Sequence, residues 1–355
     1  MRIYNFSAGP ATIPVKALEQ ASREMVEFGD AGTSVMEMSH RTKAYEDIHN
    51  AALDLLRELL NVPSNYKILF LQGGASQQFA MVPMNLKRRG KADYVVTGEW
   101  ATRAYKEGAG ILDAKVIASS EDRKFAYIPE ISGVSADADF VHICSNNTMC
   151  GTRFTALPET GDVPLVADMS SNILSEAIDV SKYGLIYAGA QKNIGPAGVT
   201  MVIIREDLLE CTNQIPSFFK YKTHADTNSM FNTPPTYTIY MTKLCLEWLK
   251  EQGGVAGIQK INEAKAQLLY DFLDSSSLFK GLADKTHRSL MNVTYTTGDE
   301  SKDAQFAKQA AAAGLANLGG HRIVGGLRAS IYNAMPIEGI HALVNFMSKF
   351  EEEYK

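Results

Sequence analysis

The sequence predicts an α/β fold: a mostly parallel sheet carrying packed helices, followed by a smaller α+β region. Three observations predict it. Short apolar runs ending in turn residues recur between residues 66 and 205. Stretches with apolar residues at three- and four-residue spacing lie between several of them. Beyond about Val255, long helical patterns surround two strand-like pieces. Alternation of strand and helix marks α/β architecture.

Taken in order, the segment before Val15 is too short to form a domain and must dock on the rest of the chain. Thr42–Leu60 has helical spacing. "YKILFLQGG" opens a series of strands apolar enough to be buried on both faces. It continues with "DYVVTGEW", "DFVHICSNNT", "VPLVADMSS", "GLIYAGAQK" and "VTMVIIRED". Ser76–Lys87 reads as the helix after the first strand. Only "QKNIGPAG" separates the last two strands, which is too short for a helical crossover, so they should run antiparallel. "EQGGVAG" marks a break. Beyond it, Ala256–Asp274, Lys302–Ala313 and Ile337–Lys349 read as helices, and "SLMNVTYTT" and "RASIYNA" as strands. The Ala-rich piece Ala307–Gly320 reads as a helix ended by glycines.

The bulk numbers narrow the function classes. Of the 355 residues, 45% are hydrophobic and 21% charged, as in an ordinary globular protein. Net charge is −5 with no basic block, which argues against nucleic acid as a partner. No apolar run approaches the roughly eighteen residues of a membrane helix. The first residues lack the apolar core of a secretory signal. No membrane partner is expected. Cys144, Cys150, Cys211 and Cys245 form no CxxC pair and read as buried thiols in a reducing compartment, hence the cytoplasm. Glu46-x-x-His49 has half of a di-iron spacing without its second half; it reads as a solvated helix face, and no metal is expected.

Ligands of open α/β sheets sit where strands end and loops begin. Those ends carry a distinctive set of residues. Lys192 lies in the apolar, glycine-rich "IYAGAQKNIGPAGV". Burial lowers a lysine pKa and frees its amine to attack a carbonyl; the alternative is a lysine that snorkels or pairs with an acid. Asp168 ends "VPLVA". A carboxylate there can keep a pyridine nitrogen protonated, or simply cap a turn. "LQGGASQQF" is strand, glycines, helix: a phosphate cradle, or merely a βα turn. Trp100 follows a strand and can stack on an aromatic ring or fill core. Each signal alone is weak. Aldehyde, pyridine nitrogen, phosphate and ring face each find one partner, and together they describe pyridoxal 5′-phosphate (PLP).

Five stretches carry a resemblance across essentially the whole chain: "YNFSAGPATIP", "GTSVMEMSHR", "YAGAQKNIGPAGVT", "MFNTPPTY" and "GHRIVGGLRASIYNAMP". They are similar to those of the phosphoserine aminotransferase family of class V aminotransferases. The resemblance implies the aspartate-aminotransferase-like fold of PLP-dependent transferases. That fold has a large domain with a seven-stranded, mostly parallel sheet, here 15–255, and a small domain of 1–14 and 256–355. It implies a homodimer with active sites at the subunit interface.

It also implies roles. Lys192 would carry the cofactor, Asp168 would hold the pyridine nitrogen, Thr148 the ring hydroxyl side, and Trp100 would stack on the ring. Ala75, Ser76 and Gln191 would bind the phosphate, joined by Asn232 and Thr233 of the other subunit. Arg328 would take the substrate α-carboxylate. His40 and Arg41 would meet the substrate phosphate or the distal carboxylate of glutamate, helped by His321 and Arg322 of the partner chain. The implied reaction exchanges an amino group between L-glutamate and 3-phosphohydroxypyruvate in serine biosynthesis. In bacteria the family often also acts on a phosphorylated hydroxythreonine keto acid, giving 4-phosphohydroxythreonine in pyridoxine biosynthesis. Some family members carry an arginine where this chain has Ser76, which removes one cationic contact. Rival readings are a desulfurase using Cys150, a dinucleotide-dependent oxidoreductase, for which the glycine fingerprint is missing, and a non-catalytic binding protein.

Overall fold

The computed structural model describes residues 2–321 and 324–354. Seven strands form its central sheet: β1 (Tyr66–Leu71), β2 (Lys91–Val96), β3 (Asp113–Ser119), β4 (Val141–Cys144), β5 (Leu165–Asp168), β6 (Leu185–Gly189) and β7 (Thr200–Arg205). Their order across the sheet is β1-β7-β6-β5-β4-β2-β3. β7 runs antiparallel to both neighbours, as the short "QKNIGPAG" connection requires. The remaining pairs are parallel.

Nine helices complete the described chain: α1 (Val15–Arg23), α2 (Lys43–Leu59), α3 (Gly74–Leu86), α4 (Glu99–Ala109), α5 (Tyr221–Asp226), α6 (Thr236–Glu251), α7 (Gly254–Ser275), α8 (Glu300–Ala312) and α9 (Ile337–Glu352). Successive strand residues point to opposite faces. Ile143, Ala167, Ile186 and Met201 therefore join α2 and α6 in one core layer. Val166, Leu185, Tyr187 and Val202 join α3 in the other. Burial on both faces explains why these strands read as unbroken apolar runs.

The C-terminal part has its own core. Leu269, Phe306, Leu343 and Phe350 of α7, α8 and α9 pack with β8 (Asn292–Thr296) and β9 (Leu327–Ser330). The N-terminal segment docks here. Tyr4–Asn5 pairs in parallel with Leu315–Ala316, and Phe6 is fully buried in this core.

Three readings change. β3, "DAKVIAS", went unrecognised because it is a partly exposed edge strand with mixed polarity. The Ala-rich helix stops at Ala312; Gly314 (φ +85°) turns the chain so that Leu315 can enter the short strand pairing. His49 is not on a solvated face. It is fully buried, edge-on to Phe70 at 5.5 Å between ring centres, while Glu46 is exposed. Among the described residues, no helix is long and apolar enough to cross a membrane.

Candidate active site

The carboxyl ends of β4, β5 and β6 and the loops after them border a cavity of about 370 Å³. Asp168 is the last residue of β5 and is 5% exposed. Burial pushes its carboxyl pKa up; the hydrogen bonds from Ser170 and the charge of Lys192 oppose the shift. Its Oδ1 accepts from the Ser170 amide at 2.9 Å, which fixes the side chain toward the cavity.

Lys192 lies three residues beyond β6. It keeps some exposed surface along the cavity, but enough protein surrounds its amine that desolvation lowers the pKa to about 8, against the pull of Asp168. Its Nζ donates to Thr148 Oγ1 at 2.8 Å. Gln191 lines the same cavity.

α3 begins at this rim. Gly73 (φ +88°) and Gly74 (φ +69°) adopt left-handed conformations that a side chain would disfavour. They turn the chain from β1 into the helix, so that Ala75 and Ser76 face the cavity from its first turn. Backbone N–H groups of a first turn have no partner within the helix. Trp100, in the first turn of α4, forms another wall. Arg103 stacks 4.9 Å from its ring centre and is tied to Glu99 at 2.8 Å.

Arg328 enters from β9. Its Nη1 makes a long bond, 3.5 Å, to the Thr148 carbonyl, and its buried Nε has no partner among the described residues. An unsatisfied buried guanidinium nitrogen at a cavity wall suits an incoming carboxylate. A nucleophilic amine, a buried carboxylate, a flat indole and a helix N-terminus, all in one cavity, fit the aldehyde, ring nitrogen, ring face and phosphate of PLP.

The remaining sequence-predicted residues divide differently. His321 lines this same cavity. His40, Arg41, Asn232 and Thr233 lie apart from Lys192, together around a separate surface hollow of about 610 Å³. Gln72 organises that side, accepting from Asn232 Nδ2 at 3.2 Å and donating to the Thr233 carbonyl at 3.1 Å. Arg322 lies outside the described residues.

Sequence reading assigned no role to Ala8 and Gly9, which also line the Lys192 cavity. A Cβ on Gly9 would lie 3.4 Å from Gln191 Cγ and 3.5 Å from Lys192 Cγ. The signal was present in "FSAGP", but nothing local says that an N-terminal segment folds back onto β6. Cys150 is 5% exposed, and burial pushes its thiol up to about 11, which suits packing rather than nucleophilic chemistry.

A sequence model of the class-V aminotransferases matches residues 3–343. The fold and the cavity thus belong to that class. Phosphoserine aminotransferase of Listeria monocytogenes is 54% identical over all of this chain and 98% of its own length. The solved phosphoserine aminotransferase of Bacillus circulans subsp. alkalophilus superposes with a TM-score of 0.97 at 48% identity, covering 100% of this chain and 99% of that one. A PLP-bound phosphoserine aminotransferase from Trichomonas vaginalis superposes with a TM-score of 0.93 at 38% identity, covering 98% of this chain and 100% of that one. The chain belongs to the phosphoserine aminotransferase family.

Proposed function

We infer that the protein transfers an amino group reversibly between L-glutamate and 3-phosphohydroxypyruvate, giving 2-oxoglutarate and O-phospho-L-serine, with PLP as its cofactor. The observation that carries this reading is a single cavity where Lys192 and Asp168 face an unsatisfied Arg328. When bound, PLP supplies an aldehyde for the amino group and a ring that accepts the electrons released at the substrate Cα. Lys192 anchors the cofactor. Its amine, made less basic by burial, would move a proton between the substrate Cα and the carbon that carries the cofactor's aldehyde. Asp168 holds a proton at the ring nitrogen. Thr148 would hold the ring hydroxyl side, and Trp100 would cover the ring face. Ala75 and Ser76, at the start of α3, and Gln191, after β6, would receive the cofactor phosphate. Arg328 takes the α-carboxylate common to both substrates through its planar fork.

The same reading includes a homodimer. One chain's hollow of His40, Arg41, Asn232 and Thr233 completes the other's cavity, with Asn232 and Thr233 at the cofactor phosphate. His40 and Arg41 meet the substrate phosphate or the distal carboxylate of glutamate, beside His321. The gathering of these four residues away from their own Lys192 supports it. A part for Arg322 rests on family resemblance alone. Residues 15–255 serve as the cofactor-binding domain, and 1–14 with 256–355 as the small domain, a division supported by Phe6 sharing the core of α7–α9. The four free cysteines suit a cytoplasmic enzyme.

Purified protein should absorb visible light, and the band should shift on adding glutamate as 2-oxoglutarate appears. Adding 3-phosphohydroxypyruvate should reverse the shift. Lys192→Ala should lose the shift and the transfer. A wild-type protein that remains colourless with added PLP, or a fully active Lys192→Ala variant, overturns the reading.

A further inference from the structure

One buried charge has no part in the reaction described above. Lys265, on α7, is fully buried, and no nearby acid opposes the burial that pushes its pKa down to about 7. Its Nζ instead donates to three backbone carbonyls: Tyr332 at 2.8 Å, Ile331 at 3.0 Å and Met335 at 3.1 Å, with Asn333 farther at 3.5 Å. An ammonium has three N–H donors, and three close carbonyls satisfy them. Burying a charge without a counter-ion is costly. What this one fixes is the turn between β9 and α9.

That turn touches three walls of the cavity. It begins just after β9, which carries Arg328. The Asn333 amide donates to Asn193 Oδ1 at 3.1 Å, and Asn193 is the neighbour of Lys192. Asn193 Nδ2 in turn donates to the Ile173 carbonyl at 3.0 Å. The Tyr332 hydroxyl donates to the Ala8 carbonyl at 2.9 Å. Asn333 is tied further: its Nδ2 donates to the Leu174 carbonyl at 2.9 Å, and its Oδ1 accepts at 2.8 Å from Asn262, one turn before Lys265 on α7.

We propose that Lys265 is a positioning residue whose carbonyl bonds lock the Ile331–Met335 turn, and thereby set Arg328 and Lys192 against each other across the cavity. The inference rests on the proposed roles of those two residues. Lys265 itself touches neither substrate nor cofactor. Its contribution is geometric, because a reacting group displaced by about 1 Å can lose a hundredfold in rate.

The test compares holoenzymes at 25 °C, after wild type has shown the visible band and the transfer. Lys265→Met keeps the length and volume but removes the donors. It should raise KM for both substrates and lower kcat, together reducing kcat/KM about tenfold or more. Asn193→Ala cuts the branch to Lys192, together with the bond from Asn193 to the Ile173 carbonyl, and leaves the Lys265 bonds in place; it should lower kcat while leaving both KM values within about twofold. In cofactor-free Lys265→Met, backbone hydrogen exchange should speed up in peptides covering 191–195 as well as 331–335. If Lys265→Met does not fold, Lys265→Gln, which keeps two of the donors on a shorter side chain, carries the test, with losses expected in the same direction. A folded variant that melts lower but keeps kcat, both KM values and slow exchange at 191–195 reduces Lys265 to a structural role and overturns the proposal. A wild type without band or transfer refutes the functional reading itself, a distinguishable result.

Discussion

Lys192 shows how burial converts a common side chain into a reagent. An exposed lysine is almost wholly protonated at neutral pH, and desolvation removes part of that preference. Because its pKa is lowered, from the usual 10.5 to about 8, the neutral amine accumulates as pH rises through about 8. Labelling of Lys192 in cofactor-free protein by an amine-reactive reagent should follow that midpoint; one near 10.5 contradicts the described environment. The role proposed for Arg328 is in binding. Arg328→Ala should raise KM for both substrates, by the equivalent of about 2–5 kcal/mol if the paired carboxylate is left buried. An effect on one substrate alone contradicts a shared α-carboxylate role. Cys150→Ser should transfer amino groups at close to the wild-type rate, since the thiol is buried and held protonated. Loss of turnover with the fold intact would favour thiol chemistry.

At the scale of elements, the site is built from ends. β5 and β6 deliver Asp168 and the Lys192 loop, α3 and α4 begin at the same rim, and β9 brings Arg328 from the other core. The turn into α3 is the most sensitive of these. A Cβ on Gly73 would fall 1.6 Å from Gln77 Oε1, and its φ of +88° disfavours any side chain. Gly73→Ala should therefore cost about 1–2 kcal/mol from backbone strain. It should also weaken PLP binding, measured by cofactor titration of the apo-protein. Unchanged affinity would separate the α3 start from the phosphate. The long amphipathic helices were legible because their spacing repeats; α2 runs Lys43–Leu59 against a reading of Thr42–Leu60, and Thr42 caps it by accepting from the Tyr45 amide. The edge strand β3 was not, because a strand with one neighbour and partial exposure needs few apolar residues. His49 misled for a related reason: one buried histidine among charged neighbours leaves no periodic mark.

At the scale of the whole molecule, the separation of the His40–Arg41 hollow from the Lys192 cavity makes a dimer testable without a dimer structure. Lys192→Ala and Arg41→Ala homodimers should both be poorly active. Co-refolded at equal amounts, they should recover about a quarter of wild-type activity, since half the dimers would carry one intact site. No recovery, with mixed dimers demonstrated, places Arg41 in its own chain's site or in none.

The sequence by itself determined the α/β class, the antiparallel strand β7 and the set of residue types that meet at the strand ends. Those features are written locally, in apolar period, loop length and residue type. Tertiary structure alone decided that Ala8 and Gly9 reach the cavity, that His321 lines it too, and that Lys265 spends its charge on a distant turn. Such contacts join residues from tens to hundreds of positions apart, and long-range packing leaves no signature in the local pattern of either partner.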